Sequence, residues 1–204
     1  MRIGIDLDNT IVCYDGLFHQ IAVRRGLIPS EMATDKQSVR DFLRAEGKND
    51  VWTELQGVIY GEAMSEAKPY VGATEFFASA LRNNWTIFVI SHRTRHPYLG
   101  PKHDLHAAAR NWLATNGVTG SSQVAIPCTN VFLEETLDAK LQRIAERRCD
   151  VFVDDLPELF LHPDFPTEVE RVCFDPANRC VDADVPRVAA WSELTARWFG
   201  GADV

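Results

Sequence analysis

Residues 3–12 read I-G-I-D-L-D-N-T-I-V, an apolar run ending in Asp6 and Asp8, then the turn-former Asn9 and the hydroxyl of Thr10. Side chains at i and i+2 of a strand leave the same face about 7 Å apart. Asp6 and Asp8 are therefore expected to project together from the carboxyl end of a first strand, the end at which open α/β sheets bind ligands. At that separation two carboxylates repel by about 2 kcal/mol at an effective dielectric of about 20, which points to a compensating cation. A polar strand end entering a loop would carry the same letters, so the rest of the chain decides.

Further apolar runs at 85–91, 123–126, 150–154 and 171–174 alternate with helical periodicity, the pattern of an α/β, mostly parallel Rossmann-like sheet covered by helices. Three of the runs end in polar residues: Asp6 with Asp8, Ser91 with His92 and Arg93, and Asp154 with Asp155. The stretch 12–81 is too long for one crossover helix and reads as helices over 14–25, 30–47 and 51–60, the last with Asn49 as its N-cap. It is expected to form a small helical insertion, residues 16–68, over the strand ends of a core made from 1–15 and 69–204, although the same helices could simply extend the core. Later helices are expected at about 104–115, 135–148 and 191–199, with Ser192 capping the last.

With 204 residues the chain can bury a full core without staples. A net charge of −8 argues against a nucleic-acid polymer or an anionic membrane as partner. Five scattered cysteines (Cys13, Cys128, Cys149, Cys173 and Cys180) form no CxxC pair, which fits free thiols and a cytoplasmic location. Asp6 and Asp8 interrupt any signal-peptide core, and no run approaches the length of a membrane span. A homodimer in which the partner helps close the site is a further possibility.

In chain order the strand ends and one helix supply D-x-D-x-T (Asp6, Asp8, Thr10), V-I-S (89–91), Lys140 and V-F-V-D-D (151–155). With these motifs the chain resembles a phosphatase of the haloacid dehalogenase (HAD) superfamily, and the resemblance covers the core from the first strand to the fourth. The insertion after the first motif stands where that superfamily places its C1-type cap, and helical capping, the V-I-S strand and the loop after it are also similar to the deoxyribonucleotidase-like branch. Asn9 stands where many members carry glycine. The superfamily's dehalogenases lack the second aspartate, so Asp8 argues against carbon–halogen cleavage.

The resemblance implies a phosphomonoester hydrolase, and the residue types suit that chemistry. Asp6 is an ionised nucleophile that needs no activating base and would form an aspartyl-phosphate. Asp8 would move the proton between leaving group and water, with its backbone carbonyl binding the metal. Asp154 and Asp155 add two more acids, and a hard divalent cation beside phosphate, Mg²⁺, is the economical way to hold four carboxylates together. Asp154 is assigned as a direct ligand, and Asp155 as a ligand through water or a partner of Lys140. The resemblance gives Lys140 the transferring phosphoryl group and the nucleophile to neutralise, and Ser91, His92 and Thr10 complete the expected phosphate-binding set.

The loop after Ser91 gathers His92, Arg93, Arg95, His96, Lys102 and His103 in an acidic chain. Arg93, Lys102 and His103 are expected to contact the substrate, a small phosphorylated metabolite such as a nucleotide or sugar phosphate. Zinc is a weaker reading: His103 and His106 lie one helical turn apart, but no cysteine or acid completes a ligand set. Competing functions are phosphoryl transfer as in a mutase, a phospho-aspartate signalling module and an inactive binding protein. A signalling module normally places its acid pair first and its phosphorylated aspartate mid-chain, without a cap.

Overall fold

A computed structural model of the chain describes residues 1–122, 125–179 and 184–200. In chain order its elements are β1 (Arg2–Ile5), β2 (Val12–Cys13), α1 (Leu17–Arg24), α2 (Lys36–Ala45), α3 (Asn49–Tyr60), a 3₁₀ turn (Glu62–Glu66) and β3 (Lys68–Pro69). There follow α4 (Ala73–Arg82), β4 (Thr86–His92), α5 (Leu105–Thr115), β5 (Val131–Glu134), α6 (Leu137–Glu146) and β6 (Val151–Asp154). The chain ends with α7 (Pro157–Phe160), β7 (Glu170–Phe174), β8 (Arg187–Val188) and α8 (Trp191–Phe199).

Six strands form one sheet in the order β5-β4-β1-β6-β7-β8, parallel at every pairing. The winding reverses at β1, with β4 and β5 on one side and the later strands on the other. The crevice for a ligand therefore opens at the carboxyl ends of β1, β4 and β6.

Alternation along the strands builds two cores. Ile3, Ile5, Ile87, Val89, Val151 and Val153 enter one buried cluster, shared with α4, α5 and α8. Phe88, Ile90, Phe152 and Cys173 enter the other, beneath α6 and α7. Gly4 makes room for this second layer: a Cβ there would stand 2.4 Å from the Phe152 ring.

Helices α1 to α3 lie between β2 and β3, which pair antiparallel (Val12 opposite Pro69, Cys13 opposite Lys68). Their buried residues, among them Phe18, Val39, Leu43 and Trp52, join the same cluster as Ile3 and Val89.

Three local expectations are corrected. The apolar run at 123–126 does not supply the strand: Gln123 and Val124 lie outside the described residues, Ile126 makes only an isolated bridge to Thr119, and β5 begins at Val131. Asn49 is the first residue of α3 and not its cap, since Lys48 holds the cap position without a side-chain bond. Ser192 lies inside α8, where Glu193 instead accepts from the Ala189 amide. Cys180 is outside the described residues.

Candidate active site

Asp6 follows β1 directly and stays tied to the sheet by its amide, which donates to the Val153 carbonyl at 2.9 Å. The chain then turns sharply: Leu7 O accepts from the amides of Ile11 and Val12, and Asn9 takes φ 56. Asparagine tolerates that left-handed conformation better than most residues with a Cβ, so a glycine is not required here.

Lys140, buried on α6, reaches two strand ends at once. Its Nζ donates to Asp6 Oδ1 at 2.7 Å and to Asp154 Oδ2 at 2.6 Å. Asp154 Oδ1 accepts from the Leu156 amide at 2.9 Å, while Asp6 Oδ2 carries no hydrogen bond among the described residues. Asp6, Asp154 and Asp155 each offer a carboxylate oxygen within 4.8 Å of the others. Lys140 pairs with Asp6 and Asp154; no ion pair joins it to Asp155.

Burial and mutual repulsion dominate the electrostatics of these acids. Burial pushes Asp6 up to about 7 against the pull of Lys140, with Asp154 and Asp8 adding to the rise. Burial, then Asp154 and Asp6, likewise hold Asp155 well above the usual carboxylate range. Burial alone would lower Lys140, but Asp154 and Asp6 outweigh it and keep the ammonium charged. Three oxygen donors with one ammonium among them suit a hard divalent cation, so the residues present fit Mg²⁺.

Asp8 has a different setting. Its side chain is outside the acid cluster and is gripped by Arg93, with Nη2 2.5 Å from Oδ1 and Nε 3.3 Å from Oδ2. The Tyr14 hydroxyl donates to Oδ1 at 2.6 Å. Arg93 is itself buried, and its Nη1 donates to the carbonyls of Tyr60 and Leu105 at 3.2 Å each. Arg93, expected to meet substrate, lines the adjoining cavity and also orients Asp8. Tyr14 was missed altogether, because an aromatic six residues after Asp8 reads as helix core.

A cavity of about 420 Å³ opens over these groups, with Asp6, Ser91, His92, Lys140 and Asp155 on the strand side. Gln56, Gly57 and Tyr60 of α3 also line it, with Tyr98 and Pro97 from the loop after β4. Ser91 is buried at the end of β4, and His92 is exposed at the rim. Other expected residues fall elsewhere. Thr10 is fully buried with Oγ1 unpartnered, and its carbonyl accepts from the Trp191 indole at 3.0 Å. Lys102 and His103 do not line the cavity, and His103 packs its Cβ against Gly61. His96 bonds the His103 carbonyl and Arg95 pairs with Asp104, so among the described residues the histidines assemble no metal set. Lys36, from the start of α2, does line the cavity and was not anticipated.

No protein-family model matches the chain, and no curated protein does. Solved structures do. A predicted phosphatase from Clostridium acetobutylicum superposes with a TM-score of 0.61 at 12% identity, over 96% of this chain and 96% of the other. The HAD-hydrolase YfnB of Bacillus subtilis, bound to magnesium, gives 0.57 at 13% identity, over 96% and 97%. A HAD family hydrolase from Deinococcus radiodurans R1, with bound phosphate and sodium, gives 0.56 at 15% identity, over 96% and 93%. The chain has the α/β fold of the HAD-superfamily hydrolases.

Proposed function

We propose that this HAD-fold chain is a Mg²⁺-dependent phosphomonoester hydrolase that acts on a small phosphorylated metabolite through an aspartyl-phosphate on Asp6. One observation carries the reading: Asp6, Asp154 and Asp155 converge within 4.8 Å, with Lys140 on two of them, beneath a cavity bordered by Ser91. Magnesium in one structural neighbour and phosphate in another support the same ligands here. Asp6, Asp154 and Asp155 would hold the cation, which when bound neutralises these acids and polarises a phosphoryl oxygen.

Asp6 attacks phosphorus through Oδ2, the oxygen that Lys140 leaves unbonded. The bond from phosphorus to the leaving oxygen breaks as that oxygen takes a proton from Asp8. Water then attacks phosphorus, its proton passes to Asp8, and the bond to Asp6 breaks, releasing phosphate and restoring both carboxyl groups. The Lys140 ammonium, 2.7 Å from the nucleophile, stands where negative charge gathers on the transferring group. The Ser91 hydroxyl holds one phosphoryl oxygen. Arg93 and Tyr14 aim Asp8, and helices α1 to α3 of the insertion 16–68 act as a cap that keeps bulk water out.

Incubation with p-nitrophenyl phosphate and Mg²⁺ should release nitrophenolate, EDTA should stop it reversibly, and Asp6→Asn should abolish it. Undiminished turnover by Asp6→Asn would remove the nucleophile assignment, and turnover indifferent to EDTA would remove the metal.

A further inference from the structure

A second cavity, of about 410 Å³, adjoins the first and shares Asn9, Lys36, Gln56 and Asp155 with it. Its wall is cationic along one helix. Lys36, Arg40 and Arg44 recur every fourth residue of α2 and all three line the cavity, with Arg179 joining from the loop after β7.

That arrangement is unfavourable for α2 by itself. Like charges four residues apart repel along a helix, and a cation in the first turn opposes the helix dipole; the acid at that end of α2 is the N-cap Asp35, which accepts from the Ser38 amide at 3.0 Å. Carboxylates repair it only in part: Asp155 and Asp8 act on Lys36 through space, and Asp35 pairs with Arg179 at 3.6 Å. Lys36 donates to the Tyr60 hydroxyl at 2.9 Å and lies over the Phe18 and Tyr60 rings, while Arg40 meets only its neighbour Asp41. The acids that border the cavity have other work: Asp175 accepts from Arg187 and the Arg179 amide, Asp15 lies against Cys13, and Asp155 belongs to the acid cluster. Trp52, Tyr70 and Phe174 supply apolar wall between the polar groups.

We infer that the substrate carries a second anionic group, a phosphate or a carboxylate at the far end of a short carbon skeleton, and that Lys36, Arg40 and Arg44 bind it in this second cavity. The inference deepens the proposed phosphatase reading and rests on it for the position of the first phosphate. Lys36 stands between the two cavities, Arg40 and Arg44 lie further along the helix, and the arginines can grip an oxyanion in a bidentate manner.

The test is calorimetric binding to the Asp6→Asn variant in Mg²⁺. The probes are linear diol bisphosphates of increasing chain length, the matching ω-carboxyalkyl phosphates, and alkyl monophosphates of the same lengths. At the chain length that spans the cavities, a second anion should tighten binding about tenfold or more, and whether phosphate or carboxylate gains more identifies the group. Arg40→Ala/Arg44→Ala added to that variant should erase most of the gain while a melting curve shows it folded. Equal binding of dianionic and singly phosphorylated probes at every length would overturn the inference, as would a gain that survives loss of both arginines. If wild-type protein hydrolyses none of the probes while the gain persists, the hydrolase reading fails and the second site stands.

Discussion

Asp8 and Asp6 lie two residues apart yet meet different chemistry. Asp6 shares Lys140 with Asp154, whereas Asp8 is clamped by Arg93 and Tyr14. Arg93→Ala should therefore lower kcat for p-nitrophenyl phosphate by about ten- to a hundredfold with little change in KM, and Arg93→Lys should recover only part of it because lysine cannot form the fork. A rise in KM with kcat intact would instead make Arg93 a substrate contact. Asp6 also predicts a pH dependence. Its carboxyl rises from 3.8 to about 7 through burial, opposed by Lys140 and reinforced by Asp154. A raised acid holds its proton below about 7, so Mg²⁺ must displace that proton there and need displace none above. Apparent Mg²⁺ affinity, measured by calorimetry, should rise with pH and level off above about 7. The stability Asp6 lends the metal-free fold runs with the opposite sign: it is complete below 3.8 and is lost as pH climbs through about 7. Mg²⁺ should accordingly raise the melting temperature more on the alkaline side.

At the scale of elements, the loop after β4 and helix α3 depend on each other. Gly57 sits inside α3, and a Cβ there would stand 2.7 Å from Pro97 Cβ. Gly→Ala in an open helix gains about 1 kcal/mol, whereas overpacking costs about 1–3 kcal/mol. Gly57→Ala should thus destabilise the protein in urea titration by about 1 kcal/mol, with earlier proteolysis in the loop at 93–104; a stabilised variant would show that helix and loop do not touch. The strands differ in how plainly they can be read. Those that line the switch point, β1, β4 and β6, are apolar runs buried on both faces and are evident in the sequence. The fourth is not, because V-F-L-E at 131–134 is no more strand-like than Q-V-A-I at 123–126. Pairing chooses it: Val131 lies opposite Val89 and Leu133 opposite Ser91, and each of those two fills a buried place.

Across the whole molecule, the turn after Asp6 is anchored from the far end of the chain. Trp191 is fully buried among Phe76, Phe77 and Phe174, and its indole donates to the Thr10 carbonyl at 3.0 Å. Trp191→Phe would leave that buried carbonyl without a partner, so a stability loss of about 2–3 kcal/mol by chemical denaturation is expected. Little or no loss would show that the turn holds without this tie. The same scale explains the charge distribution. A chain of net −8 concentrates Asp6, Asp154 and Asp155 around one lysine and ranges cations along α2 beside them. The two clusters are adjacent although α2 and β6 are separated by more than a hundred residues of sequence.

The sequence by itself determined where the strands end that carry Asp6 and Asp8, Ser91, and the acid pair at 154–155, and that Lys140 stands on a helix. These are set by local rules: an apolar run makes the strand, and the polar letters that follow mark its end. Tertiary structure alone decided which way the polar side chains turn. Arg93 looks inward to Asp8 because the carbonyls of Tyr60 and Leu105 and the Tyr14 hydroxyl surround it, and none of these is near it in sequence. It also decided that Lys36, Arg40 and the exposed Arg44 line one cavity, since a helix's periodicity defines its faces while only the neighbouring elements say what each face meets.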